Sequence, residues 1–140
     1  MIFKRINRSS PEQVFAVFQA NATGIAADDV VSLELTAASV DGVKIVQPVA
    51  AQLGCVVGIA DAAIANGDYG LVQIYGYRST SRVAQTTSSL PLGAGLVAVA
   101  AADYLDSVTA SAFGHYFHLL QTTSANTLHT VSLKIFIRCM

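Results

Sequence analysis

Tryptophan is absent from the chain, cysteine occurs twice, proline three times, and eight Lys and Arg face nine Asp and Glu in 140 residues. Each shortage excludes something. A net charge of -1 with scattered basic side chains argues against a nucleic-acid binder, because neutralising phosphates takes clustered Lys and Arg. Cys55 and Cys139 have the spacing of neither a zinc ribbon nor a redox pair, so free thiols are expected. One bridge would require the C-terminal strand to lie beside the strand that holds Cys55. Without a Pro- or Gly-rich linker, an internal repeat or a low-complexity tract, nothing divides the chain.

Long clean apolar runs are also missing. Lys4 and Arg5 precede an apolar stretch from Val14 to Ala22, but Pro11, Glu12, Gln13 and Gln19 interrupt it, whereas a secretory signal needs ~7–15 clean apolar residues. The run from Leu90 to Ala102 meets Asp103 well short of the ~20 residues that span a membrane as a helix. No targeting or spanning segment is expected. Asn7-Arg8-Ser9 and Asn21-Ala22-Thr23 match the glycosylation pattern, which matters only in a secretory compartment.

What is present is apolar and β-prone. The apolar fraction is 53% and the charged fraction 12%, about half the usual globular share. The surface is therefore expected to be rich in Ser, Thr, Asn, Gln and Ala, and such a weakly charged exterior suits a protein covered by neighbours.

In Val30-Val31-Ser32-Leu33-Glu34-Leu35 the apolar residues Val31, Leu33 and Leu35 alternate with Ser32 and Glu34, which predicts a strand with one buried face. Asp41-Gly42 favours a tight turn, so Val43 to Val46 should return as its hairpin partner and end at Pro48. Further strands are expected over Cys55 to Ala60, over Tyr69 to Tyr77 after Asn66-Gly67-Asp68, over Leu96 to Ala100, and over Val131 to Arg138. In the last, Val131, Leu133, Ile135 and Ile137 should face inward and Lys134 and Arg138 outward. Tyr116 to Gln121 pairs with it, or Ala112 to Leu120 forms a short helix. Many short strands with turns between them predict an all-β fold, a compact, partly open β-barrel or sandwich with at most short helices, over residues 11–140. Residues 1–10 are expected to form an extended N-terminal arm.

Catalytic chemistry is thin. His115, His118 and His129 are the only histidines, and a hairpin centred between Thr123 and Ser124 would set His118 opposite His129. A third metal ligand is lacking, so no metal is expected. No serine sits in a Gly-x-Ser-x-Gly elbow, and Gly93-Ala94-Gly95 lacks the remainder of a nucleotide-binding loop. Asp28-Asp29 and the pair Asp103 and Asp106 read as solvated turn residues. No catalytic residue and no cofactor are expected.

The run Gly58-Ile59-Ala60-Asp61, followed by Ile64-Ala65-Asn66-Gly67-Asp68-Tyr69-Gly70-Leu71-Val72-Gln73-Ile74-Tyr75-Gly76, resembles the core of small capsid decoration (cement) proteins and related virion proteins of tailed bacteriophages. Asp41 to Pro48 upstream, and Gly114 to Leu120 followed by Val131 to Arg138 downstream, fit the same pattern. The likeness spans about residues 12 to 138, and its motifs are turns and strands. It implies a non-enzymatic β-barrel that forms a homo-oligomer, a trimer being favoured. Such a protein sits on the outer face of the capsid, bridges major capsid subunits there and is assembled in the host cytoplasm. Neither nucleic acid nor membrane is an expected partner.

Two groups are candidate contacts to the capsid or between protomers. Lys4, Arg5 and Arg8 of the arm could meet carboxylates on the shell, though solvated terminal charge is the ordinary reading of such a cluster. Gln73, Tyr75 and Tyr77 share the strand face opposite Val72 and Ile74, where tyrosines can anchor an interface, although ordinary aromatic packing on a sheet gives the same pattern. Alternatives are another virion part (a head fibre base, tail or minor capsid protein), or a carbohydrate- or cell-surface-binding β module, which the absence of Trp disfavours.

Overall fold

A computed structural model describes residues 12–21, 23–36, 42–85, 89–107, 116–123 and 129–139, with the backbone alone for Gln85 and residues 129–131. The arm with Lys4, Arg5 and Arg8 lies outside the described residues, as does His115. The elements are β1 (Gln13–Ala20), β2 (Val30–Leu33), β3 (Lys44–Val46), a 3-10 helix (Ala50–Cys55), β4 (Val56–Ala60), β5 (Tyr69–Arg78), β6 (Arg82–Gln85), β7 (Gly95–Ala98), β8 (Leu105–Ser107), β9 (Phe117–Leu119), β10 (His129–Ser132) and β11 (Ile135–Arg138). The all-β expectation holds.

Five strands in the order β1-β3-β2-β4-β5 form a barrel that β1 closes by pairing with β5. The barrel is closed, not partly open. Only β1 and β3 run parallel within it. From β5 the sheet continues outward as β11-β9-β7-β8-β6-β10.

Closure rests on the long β1–β5 ladder, which runs from Gln13↔Gly76 to Gln19↔Tyr69 with a register shift between Val14 and Phe15. Gly76 makes this approach possible. Its φ is +103°, and a Cβ there would collide with the Glu12 carbonyl oxygen, so an L side chain is excluded twice over. The expected hairpin of β2 and β3 forms with Ser32↔Val46 and Leu33↔Ile45, and the turn before β5 places Gly67 at φ +84°.

Two cores follow from this layout. Inside the barrel pack Ala20, Val31, Ile45, Ala60, Ile64 and Val72. Outside its β2 and β4 wall, Val30, Val56 and Ile59 meet Leu96, Phe117 and Ile135 of the outer strands and their neighbours. Each fully buried Ile or Leu contributes roughly 1.5–3 kcal/mol.

That arrangement corrects the alternation expected for Val30 to Leu35. Because β2 lies between two cores, Val30, Val31 and Ser32 are all buried, Glu34 is buried as well, and Leu35 is the exposed member. The C-terminal strand is corrected differently. It is two strands: β10 pairs with β6, whereas β11 pairs with β5 and β9. Between them Leu133 donates its N–H to the Ser81 carbonyl, and the Lys134 carbonyl accepts from Leu120. Leu133, Ile135 and Ile137 are buried and Lys134 and Arg138 exposed, as the alternation predicts.

Phe117–Leu119 is a strand and not the end of a helix. β5 lies between β4 and β11, so Cys55 and Cys139 flank different sides of it and both are free thiols.

Beside the apolar contact between barrel and outer strands, an ionic cluster gathers at the end of β5. Arg78, 6% exposed at the end of β5, donates from Nε and Nη2 to Asp28 Oδ1 (3.2 and 2.5 Å), from Nη1 to Asp61 Oδ1 (3.4 Å), and from Nη2 to the Ala60 carbonyl (3.1 Å). Beside it, Arg82 pairs with Asp103 and lies 3.3 Å from Asp29 Oδ1. All three aspartates bear ion pairs; Asp29 is buried, which corrects the solvated-turn reading for it, whereas Asp28 and Asp103 are partly exposed residues of turns. Asp28 adopts φ +67°, a conformation that Asp tolerates better than most residues.

Candidate interaction face

Strand β11 carries the key alternation. Ile135 and Ile137 are buried, so Phe136 between them points to the opposite face, where it is half-buried. Its cross-strand partners are Tyr77 on β5 and His118 on β9, and directly opposed residues share a face. Tyr77, Phe136 and His118 thus form one row across three strands, each partly accessible. Tyr75 joins it edge-on, its ring centroid 5.2 Å from that of Phe136 with the planes at 80°. Arg138, exposed, is the cross-strand partner of Tyr75. At the other side Gln13 donates its amide to the Tyr77 carbonyl (2.8 Å) and fastens β1 to this edge.

A second apolar strip lies on the barrel wall. Val17 opposes Leu71 and Gln19 opposes Tyr69, and Val17, Leu71 and Tyr69 are 59%, 47% and 63% exposed. Large apolar groups so exposed on adjoining strands mark a contact surface more readily than a scattered few would.

Of the residues singled out from sequence, Tyr75 and Tyr77 are brought together with Phe136. Gln73 is not part of the face. It is fully buried, because its cross-strand partner Ile59 belongs to the core between the barrel and the outer strands. There its amide donates to the Tyr77 carbonyl (2.9 Å) and its Oε1 accepts from Arg78 Nη1 (3.2 Å), so Gln73 supports the face from behind.

His118 and His129 are not opposed. His118 pairs with Phe136, whereas His129 lies on β10 opposite Gln85. Among the described residues no group of three His, Cys, Asp or Glu is placed to hold a metal ion. No helix among them is long and apolar enough to cross a membrane.

The sequence alone does not place Phe136 or His118 on this face, and offers His118 only as a possible metal ligand. The signal for Phe136 was its place between two inward isoleucines. For His118 it was the pairing register alone. No protein-family model matches the chain, and no curated protein does either.

Proposed function

We propose that this protein is a non-enzymatic virion structural protein that binds the outer face of a tailed-phage capsid and stabilises the shell by bridging major capsid subunits. The observation that carries the reading is the row of Tyr77, Phe136 and His118 with Tyr75 set against it: a rigid aromatic surface on the outside of a closed β framework. Aromatic side chains held by strands bury large area on binding and lose little conformational entropy. The weakly charged composition supports the same reading, as does the resemblance of the turn-and-strand rhythm to that of capsid decoration proteins.

The mechanism is mass action. A protein that binds the assembled lattice and not its separated subunits adds about 2.7 kcal/mol per site at a concentration 100 times its dissociation constant. Self-association into a trimer would multiply the contacts each unit makes, and the strip of Val17, Tyr69 and Leu71 is the surface offered for it.

Light scattering followed by sedimentation with undecorated phage capsids tests this reading. Wild-type protein should be oligomeric and pellet with the capsids, while Tyr75→Ala should stay folded and remain in the supernatant. Equal pelleting of the two would remove the aromatic face from the account.

A further inference from the structure

Beside the 3-10 helix a recess of about 320 Å³ opens to solvent. Its floor is Glu34, Gln52 and Val46, all buried, with Gln52 only 1% and Glu34 only 8% exposed. Its rim is Thr23, Thr36, Gln47 and Val49, all exposed. Buried polar groups under an open mouth are costly to maintain unless each is held in place.

They are held by one another. Glu34 Oε1 accepts from the Thr36 N–H (2.6 Å), from the Thr36 hydroxyl and from the Gln52 amide (3.3 Å), while the Gln52 carbonyl oxygen accepts from Ser32 Oγ (3.4 Å). Asn21 Nδ2 approaches Glu34 Oε2 at 3.5 Å. Both Gln52 contacts lie at the long limit of hydrogen bonding, so ligand oxygens at normal distance can compete for its amide.

The chemistry selects the ligand class. Two hydroxyls, two carboxamides and one carboxylate offer donors and acceptors together, and Val46 and Val49 offer an apolar wall. Glu34 accepts from neutral N–H and O–H donors of Thr36, Gln52 and Asn21, and a ligand hydroxyl is a donor of the same kind. The volume lies at the lower end of the ~300–1,000 Å³ typical of ligand pockets and suits a single ring. We infer that this recess binds one neutral monosaccharide unit, its hydroxyls meeting Glu34, Gln52 and the rim threonines and its C–H face meeting the valines. The inference does not depend on the capsid reading.

Nuclear magnetic resonance titration of the full chain with methyl glycosides of glucose, galactose, mannose and N-acetylglucosamine tests it, with methylammonium as the cationic control. At least one glycoside should give saturable shifts at the amides of Thr23, Thr36 and Gln47, with a dissociation constant on the order of 1 mM, ordinary for one small ligand. Val49 is 42% exposed, so Val49→Trp should fill the mouth without disturbing the buried groups, and should abolish those shifts while the remaining spectrum stays that of the folded protein. Absence of saturation with every glycoside, persistence of the shifts in Val49→Trp, or tighter binding of methylammonium would each overturn the inference.

Discussion

Arg78 and Asp28 stand 50 positions apart in sequence, yet Nη2 of one lies 2.5 Å from Oδ1 of the other. This pair ties the loop that enters β2 to the point where the chain leaves the barrel for the outer strands. Arg78→Ala would leave Asp28, Asp61 and the buried Gln73 carbonyl oxygen without it. Breaking a fully buried pair costs about 3–5 kcal/mol. Asp28 and Asp61 are 32% and 47% exposed, so solvent screening reduces the expected loss to about 2–3 kcal/mol in urea denaturation. Arg78→Lys should recover only part of it, because an ammonium cannot reproduce the planar fork.

The Tyr75 and Phe136 rings should be energetically coupled. A double-mutant cycle of Tyr75→Ala and Phe136→Ala, read by denaturation, should give a coupling of about 0.5–1.5 kcal/mol, the range for an edge-to-face pair. Strictly additive variants would show that the rings are neighbours without being partners.

Asp29 should respond to pH. Burial raises its carboxyl above the usual 3.8, against the opposing pull of the Ala26 N–H and of Arg82. Its Oδ1 accepts no hydrogen bond, although Arg82 Nη1 lies 3.3 Å away as an ion-pair partner. A folded-state value above the unfolded one means that the native protein takes up this proton first as pH falls. The contribution of Asp29 therefore grows as pH drops from its raised native value to 3.8, and is diminished at neutral pH. The stability difference between wild type and Asp29→Asn should shift toward wild type across that window and stay flat above it.

Cys139 should be inert while the protein is folded. Burial pushes its thiol up to about 12, so almost no thiolate exists at pH 8. A thiol-specific disulfide reagent should modify Cys139 only as fast as the C-terminal segment unfolds. Rapid reaction in the native state would show that the end of β11 is not packed as described.

The basic arm offers a test of electrostatics. Removing residues 1–10 takes away Lys4, Arg5 and Arg8, and should weaken capsid binding and lessen its salt dependence if these charges meet carboxylates on the shell. Unchanged binding would remove the arm from the interface.

The legible parts of the fold were those where one local signal sufficed. Gly67 marks the turn before β5, and clean alternation marks β11, while Asp41 of the expected Asp41-Gly42 turn lies outside the described residues. β1 was missed because Gln13–Ala20 runs almost continuously apolar, without the period of two that a strand with one wet face displays. β6 and β8 are too short to carry a pattern and are fixed by their partners. Polarity alone predicts Ser32, Glu34 and Gln73 at the surface, a rule that fails where a strand separates two cores and its polar groups bond one another. Of the candidate face, Tyr75 and Tyr77 could be read from one strand, but the row they join depends on registers across three.

Electron cryo-microscopy of undecorated tailed-phage capsids incubated with the protein tests the central claim most directly. The expected result is added density on the outer shell, into which the barrel fits with Tyr75, Tyr77 and Phe136 against the major capsid subunits or a neighbouring protomer. Bare shells at saturating protein, or bound copies with that face turned to solvent, would contradict the account.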